Sequence, residues 1–241
     1  MKILALDSSG LVASVAVVEN DTLLAEYTVN YKKTHSQTLL PMLDEISNMT
    51  ELDLSTIDAI AVAGGPGSFT GLRIGSATAK GLGLALEKPL ISIPTTAAIA
   101  YNIWDTDKFV CPIMDARRNQ VYTGVYCYTD HRLDTVWEQD TMSIEALAEG
   151  LNCLDHEVIF LGDGVAVYRE KLEALLTIPF SFAPAHVNRQ RAAAVGALAE
   201  VYYKEGKIQT AEEHEPEYLR KSQAERERAE RESVKHADVV K

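Results

Sequence analysis

With 241 residues, 46% of them hydrophobic and 24% charged, the chain can bury a substantial core, and disorder of the whole chain is excluded. Asp and Glu number 35 against 23 Lys and Arg, a formal charge of -12 that argues against a protein gripping a polyphosphate backbone unaided; any nucleic acid would be held through another protein. No run of about 18 apolar residues is present, and Met1 leads directly into strand-like KILALD, so a soluble cytoplasmic protein with no membrane association is expected.

KILALD forms a first strand, stopped at Asp7 by the turn residues SSG; LVASVAVVEND and TLLAEYTVN supply a second and a third. THSQTLLPMLDEISNM places Leu39, Leu40, Leu43 and Ile46 at helical spacing, with Thr34 as N-cap and Pro41 early in the helix. Residues 58–63, DAIAVA, read as a buried strand feeding GGPGSFTG, and Phe69 to Leu86 as a second helix. The order is βββαβα. It recurs in FVCPIMD, NQVYTGVYCY, RLDTVWEQD, SIEALAEGL, EVIFLGDG and VAVYREKLEALL, and both first strands end in Asp before a polar turn, at Asp7 and Asp115. The expectation is a two-lobed α/β chain on one duplicated plan: residues 1–107, residues 108–222, and a charged, solvated tail at 223–241. A last helix within NRQRAAAVGALAEVYYKEG would pack back across the lobes.

The glycine knot invites three enzymatic readings, and each fails. A Walker A loop needs a lysine that no register supplies; GxGxxG puts Thr70 at its third glycine; GxSxG is broken by Pro66, two before Ser68. A mechanical reading remains. Gly64, Gly65 and Gly67 tolerate the sharp turn from strand to helix, and Ser68 caps the helix. Gly71, Gly75, Ala79 and Gly83 then recur every four residues and leave one face nearly without side chains, which implies close approach of another backbone, either the HSQTLLPML helix or a partner protein. The amides at the helix start could also receive an anion.

Other candidate chemistry is sparse. Cys111, Cys127 and Cys153 have no CxxC spacing and read as buried reduced thiols. The six histidines, His35, His131, His156, His186, His214 and His236, show no HxxxH or HExxH. His35, beside a helix start, is the least ordinary. Arg117, Arg118, Arg189 and Arg191 form local basic clusters only.

The motifs ILALDSS, HSQTLLPML, GGPGSFTGLRIGSATAKGLGLAL, KPLISIPT and EPEYLRKSQAE together resemble the TsaB (YeaZ) family, over nearly the whole chain up to its tail. The resemblance implies the actin, sugar-kinase and Hsp70-like (ASKHA) fold and a non-catalytic subunit that activates a TsaD-type enzyme in making threonylcarbamoyladenosine beside the tRNA anticodon. It implies a partner interface on the first-lobe helices, at His35, Leu39, Phe69, Gly71, Leu72, Gly75, Ala79, Leu82 and Gly83. It also implies that the turn at Asp7, Ser8 and Ser9, with Gly65, Gly67 and Ser68, faces nucleotide or another anion. Thr95 and Ile99 stand where TsaD carries its metal-binding histidines, so no metal and no catalytic residue is expected. Further implied are a TsaE-type ATPase in the complex, ATP or ADP at or near the partner interface, tRNA contact only through the complex, and a homodimer when alone. The alternatives are an autonomous ATP-binding hydrolase using Asp7 or a glycoprotease-like enzyme, and a nucleic-acid module using the arginines.

Overall fold

The computed structural model describes residues 1–31 and 35–220. The first sheet is built around β1 (Lys2–Asp7), with β2 (Val12–Glu19) antiparallel to it, β3 (Thr22–Asn30) at one edge, and β4 (Ala59–Gly65) and β5 (Leu90–Pro94) parallel on the other side. β1 is apolar almost throughout because both of its faces are covered. Successive side chains alternate: Leu4 and Leu6 pack with Leu43 and Ile46 of α1 (Leu39–Thr50) and Ala79 of α2 (Phe69–Leu86), while Ile3 and Ala5 pack with Val195 and Ala199 of α6 (Ala192–Lys204) on the opposite face. Gly196 permits the close approach, since a Cβ there would lie 2.7 Å from Val18 Cγ2.

The second sheet repeats the plan with β6 (Phe109–Asp115) at its centre, β7 (Gln120–Thr129) and β8 (Arg132–Ser143) antiparallel on one side, and β9 (Val158–Leu161) and β10 (Phe180–Phe182) parallel on the other. α4 (Ile144–Leu154) and α5 (Gly164–Leu175) cover one face through Leu147, Leu151, Tyr168 and Leu172. The other face meets α3 (Thr95–Ala100), whose Ala97 and Ile99 share a core with Val110, Met114 and Tyr126. That core therefore continues from one lobe into the next.

The sheet orders β3-β2-β1-β4-β5 and β8-β7-β6-β9-β10 are the same arrangement twice, which is the duplication the sequence predicts. β5, β10 and α3, of 5, 3 and 6 residues, are additions to the expected βββαβα. α6 lies within 108–222 by sequence but packs on the first sheet. α1 begins at Leu39 with no side-chain cap from Thr38, and the expected cap Thr34 and the tail 223–241 lie outside the described residues. Leu40 is 54% exposed, off the buried stripe it was expected to join. Among the described residues no helix is long and apolar enough to cross a membrane. Cys111 is buried, but Cys153 is exposed, which corrects the expectation of three buried thiols.

Candidate functional site

Two turns that the sequence keeps some sixty residues apart are built into one another. Ser68 N donates to Ser9 O at 2.7 Å, and Ser8 Oγ donates to Gly71 O at 2.9 Å. A Cβ at Gly67 would overlap Ser9 O, and one at Gly71 would overlap Ser8 O. Gly65 alone in this loop has a left-handed φ, +125°, while Gly64 is excluded from carrying a side chain by Ser92 Oγ. The start of α2 thus sits directly on the turn after β1.

Asp7 is fully buried at that turn. One of its carboxylate oxygens accepts from Ser9 N at 2.9 Å and from Ser9 Oγ at 2.7 Å; the other has no hydrogen-bond partner. Burial pushes the carboxyl up to about 6, against the opposing pull of the Ser9 donors and of His35. His35 Nε2 lies 2.8 Å from Gly10 O and, facing a carbonyl, must donate, while Nδ1 is buried without a partner. Gln190 is 1% exposed and neither of its amide atoms is paired; a Cβ on Gly10 would lie 2.5 Å from its Nε2. Among the described residues, four of the eight buried polar side-chain atoms left unpaired belong to Asp7, His35 and Gln190, which makes this turn the least satisfied place in the molecule.

Several of the donors expected to receive an anion are engaged within the chain. Gly65 N is bonded to Thr95 Oγ1 at 3.2 Å, Ser68 N to Ser9 O, and Gly71 N to Ser68 Oγ at 3.3 Å, the cap the sequence predicts. The unpaired oxygen of Asp7 adds a charge that opposes a bare phosphate.

The small-residue face of α2 packs within its own chain, the first of the two alternatives its spacing leaves open. Gly71, Leu72, Gly75, Ala79 and Gly83 are buried in their own chain, and so is Leu39. A Cβ on Gly75 would lie 2.5 Å from Ser8 Oγ and 3.5 Å from Val62 Cγ2, and one on Gly83 3.0 Å from Leu90 Cδ2. That face meets the Asp7 turn, β4 and β5, and its Ala79 shares a core with Leu43 and Ile46 of the HSQTLLPML helix. His35, Phe69 and Leu82 keep partial exposure. The outward stripe is Thr70, Arg73, Ala77, Gly81 and Leu84, where Arg73 lies over the Phe69 ring, Leu84 is 64% exposed and a Cβ on Gly81 would meet nothing within 4 Å. Its spacing was visible in the sequence, but which face of α2 turns inward cannot be ranked without the position of the β1 turn.

The remaining candidates have local partners. Arg189 donates to Gly162 O at 2.7 Å, Arg191 is paired with Glu26, and Arg117 lies 3.2 Å from the Asp115 carboxylate. The second-lobe counterpart of the Asp7 turn is filled by its own side chains: Asp115 accepts from Arg117 N at 2.9 Å and Tyr168 OH at 3.3 Å, and Asp163 accepts from Asp115 N at 3.2 Å. Burial is the main cause that raises the Asp163 carboxyl. Thr95 and Ile99 are both fully buried.

A family model described as TsaD, tRNA N6-adenosine threonylcarbamoyltransferase, matches residues 22–228. The tRNA threonylcarbamoyladenosine biosynthesis protein TsaB of Bacillus subtilis (strain 168) is 32% identical over 225 residues, covering 93% of this chain and 96% of that protein. The chain belongs to the TsaB (YeaZ) family. The solved structure of YeaZ from Pseudomonas aeruginosa matches at a TM-score of 0.78 and 28% identity, over 90% of this chain and 99% of that one. A polyphosphate/ATP-glucomannokinase from Arthrobacter sp. strain KM, at a TM-score of 0.52 and 15% identity over 84% of this chain and 99% of that one, shares the fold alone. This TsaB-family chain accordingly has the two-lobed actin, sugar-kinase and Hsp70-like fold that its motifs imply.

Proposed function

We propose that this chain is a non-catalytic activating subunit that pairs with a TsaD-type enzyme for threonylcarbamoyl transfer to the adenosine beside the anticodon of tRNA. The observation that carries the reading is the disposition of α2. Its glycine face is consumed by the Asp7–Gly10 turn and β5, and its outward stripe of Thr70, Arg73, Ala77, Gly81 and Leu84 stays exposed on the same side of the sheet as Leu40 and Met49 of α1, themselves 54% and 77% exposed. Small outward residues let a partner helix approach closely, and the apolar ones supply burial. The name of the Bacillus subtilis relative supports the pathway. In this reading ATP or ADP would bind at or near the joint with the partner, and a TsaE-type ATPase and tRNA would engage the assembled complex. The homodimer of the isolated chain would use the same stripe.

The test is tRNA threonylcarbamoylation reconstituted from a TsaD-type partner, the adenylate-forming enzyme, a TsaE-type ATPase, tRNA, threonine, bicarbonate and ATP, with and without this chain. Modification should collapse on omission, while the chain alone turns over nothing. Gly81→Trp should fold normally and fail to pair or activate; normal activation by this variant would remove the interface from α2.

A second reading has one observation in its favour. The buried, half-unpaired Asp7 carboxyl is the kind of group that catalytic sites retain. An autonomous hydrolase would show ATP turnover by the purified chain that Asp7→Ala abolishes.

A further inference from the structure

Residues 206–220 leave α6 and travel the length of α2 in reverse. Gln209 exchanges both backbone hydrogen bonds with Leu90, at 2.8 and 3.0 Å, extending the first sheet beyond β5. Lys80 Nζ then donates to His214 O at 2.8 Å, Glu217 N donates to Gly64 O at 2.7 Å, and the Tyr218 ring lies 4.8 Å from that of Phe69. So far every contact is with the first lobe. Two others are with the second: Glu217 Oε2 accepts from Gln139 Nε2 of β8 at 2.6 Å, and Arg220 donates to Ala116 O.

Gln139 is the centre of this crossing. A carboxylate only accepts, so the Gln139 amide must turn its NH2 toward Glu217, leaving Oε1 to accept from Thr96 Oγ1 at 2.8 Å. Thr96 has then spent its one proton, and the 2.7 Å contact with Tyr126 requires the tyrosine hydroxyl to donate. The chain of donors has a single direction, Tyr126 to Thr96 to Gln139 to Glu217. Its two first-lobe ends grip the same turn: Glu217 holds Gly64 O, and Thr95, next to Thr96, holds Gly65 N at 3.2 Å.

We propose that Gln139 is the positioning residue of an interlobe latch. Through Thr96 and the Glu217 strap it fixes the Gly64–Ser68 turn, and hence the seat of α2, to the second lobe. A partner that rotates the second lobe would move the start of α2, and a partner seated on α2 would bias the lobe angle in return. Only that consequence rests on the function proposed above; the latch is a property of the isolated chain.

The test is amide hydrogen exchange on the full chain and two charge-swapped forms. Gln139→Glu sets two carboxylates against each other and removes the donor to Glu217. Exchange at Gly65 and Glu217 should quicken by about tenfold, as expected for loss of a hydrogen bond to a charged group at a partly exposed site. The double variant Gln139→Glu with Glu217→Gln restores a donor on 217 facing an acceptor on 139 and should return both amides to the parent rate. Gln139→Leu, which keeps bulk and adds no charge, should behave like the single swap. The latch is overturned if Gly65 keeps its parent rate in both single variants, or if the reciprocal swap quickens exchange as much as Gln139→Glu does.

Discussion

Asp7 shows what a single residue costs this fold. Its carboxyl sits fully buried, with one oxygen served twice by Ser9 and the other by nothing, and its pKa is raised from 3.8 to about 6. The sign follows from which state holds the proton more tightly. A raised folded pKa means that the native state binds the proton better, so the stabilisation is complete below about pH 4 and is lost as pH rises through about 6. Its full extent corresponds to roughly 3 kcal/mol. Asp7→Asn keeps an oxygen for Ser9 and removes the buried charge, so its melting temperature should exceed the parent's at pH 7.5 and converge with it near pH 4. Thermal melts at the two pH values decide the matter: no gain at pH 7.5 would mean that the ionised carboxylate is compensated. Asp7 could be singled out from sequence because it ends a strand before a turn. Gln190 could not, since its place against Gly10 spans most of the chain and no local pattern marks it.

At the scale of the element, α2 joins two kinds of glycine in one helix. Gly71 and Gly75 exist because Ser8 occupies the space their side chains would need, whereas Gly81 faces open space. Substitutions should therefore separate in sign. Gly81→Ala removes a helix-interior glycine at no steric cost and should stabilise the protein by about 0.5–1 kcal/mol. Gly75→Ala should cost about 1–3 kcal/mol, because the new methyl displaces Ser8 Oγ from Gly71 O and lifts the helix from its seat. Urea unfolding of the two variants gives the comparison, and a stabilising Gly75→Ala would contradict the packing. The sequence period of glycines correctly announces a close approach, yet it leaves the approaching group unnamed. The strands and long helices were legible because hydrophobic period and turn residues agree along them. β5, β10 and α3 were not, because they are fixed by their neighbours in the fold rather than by a period of their own.

Across the whole molecule, the symmetry between the duplicated halves is broken chiefly by α6 and the strap, which return to the first lobe and have no counterpart on the second among the described residues. The strap carries a titratable group in an unusual setting. His214 is fully buried, its Nδ1 lies 2.9 Å from the Gln209 amide nitrogen, and its Nε2 is unpaired. Burial, with Lys80 nearby as the lesser cause, holds its pKa below 6.5. A depressed folded pKa means that the unfolded chain takes the proton first, so the strap is at full strength above about pH 6.5 and weakens as pH falls below it. Asp7 acts in the opposite direction on the acid side, so a global melt of the parent would mix the two. Local exchange separates them. The Leu90 and Gln209 amides, which pair the strap with β5, should exchange faster as pH drops from about 7 to about 5.5 once the intrinsic pH dependence is removed. His214→Gln should flatten that response while leaving the Asp7 window intact. If the acid-induced loosening persists unchanged in His214→Gln, the strap is not governed by this imidazole, and its hold on the first lobe must be sought in the Lys80 and Glu217 contacts instead.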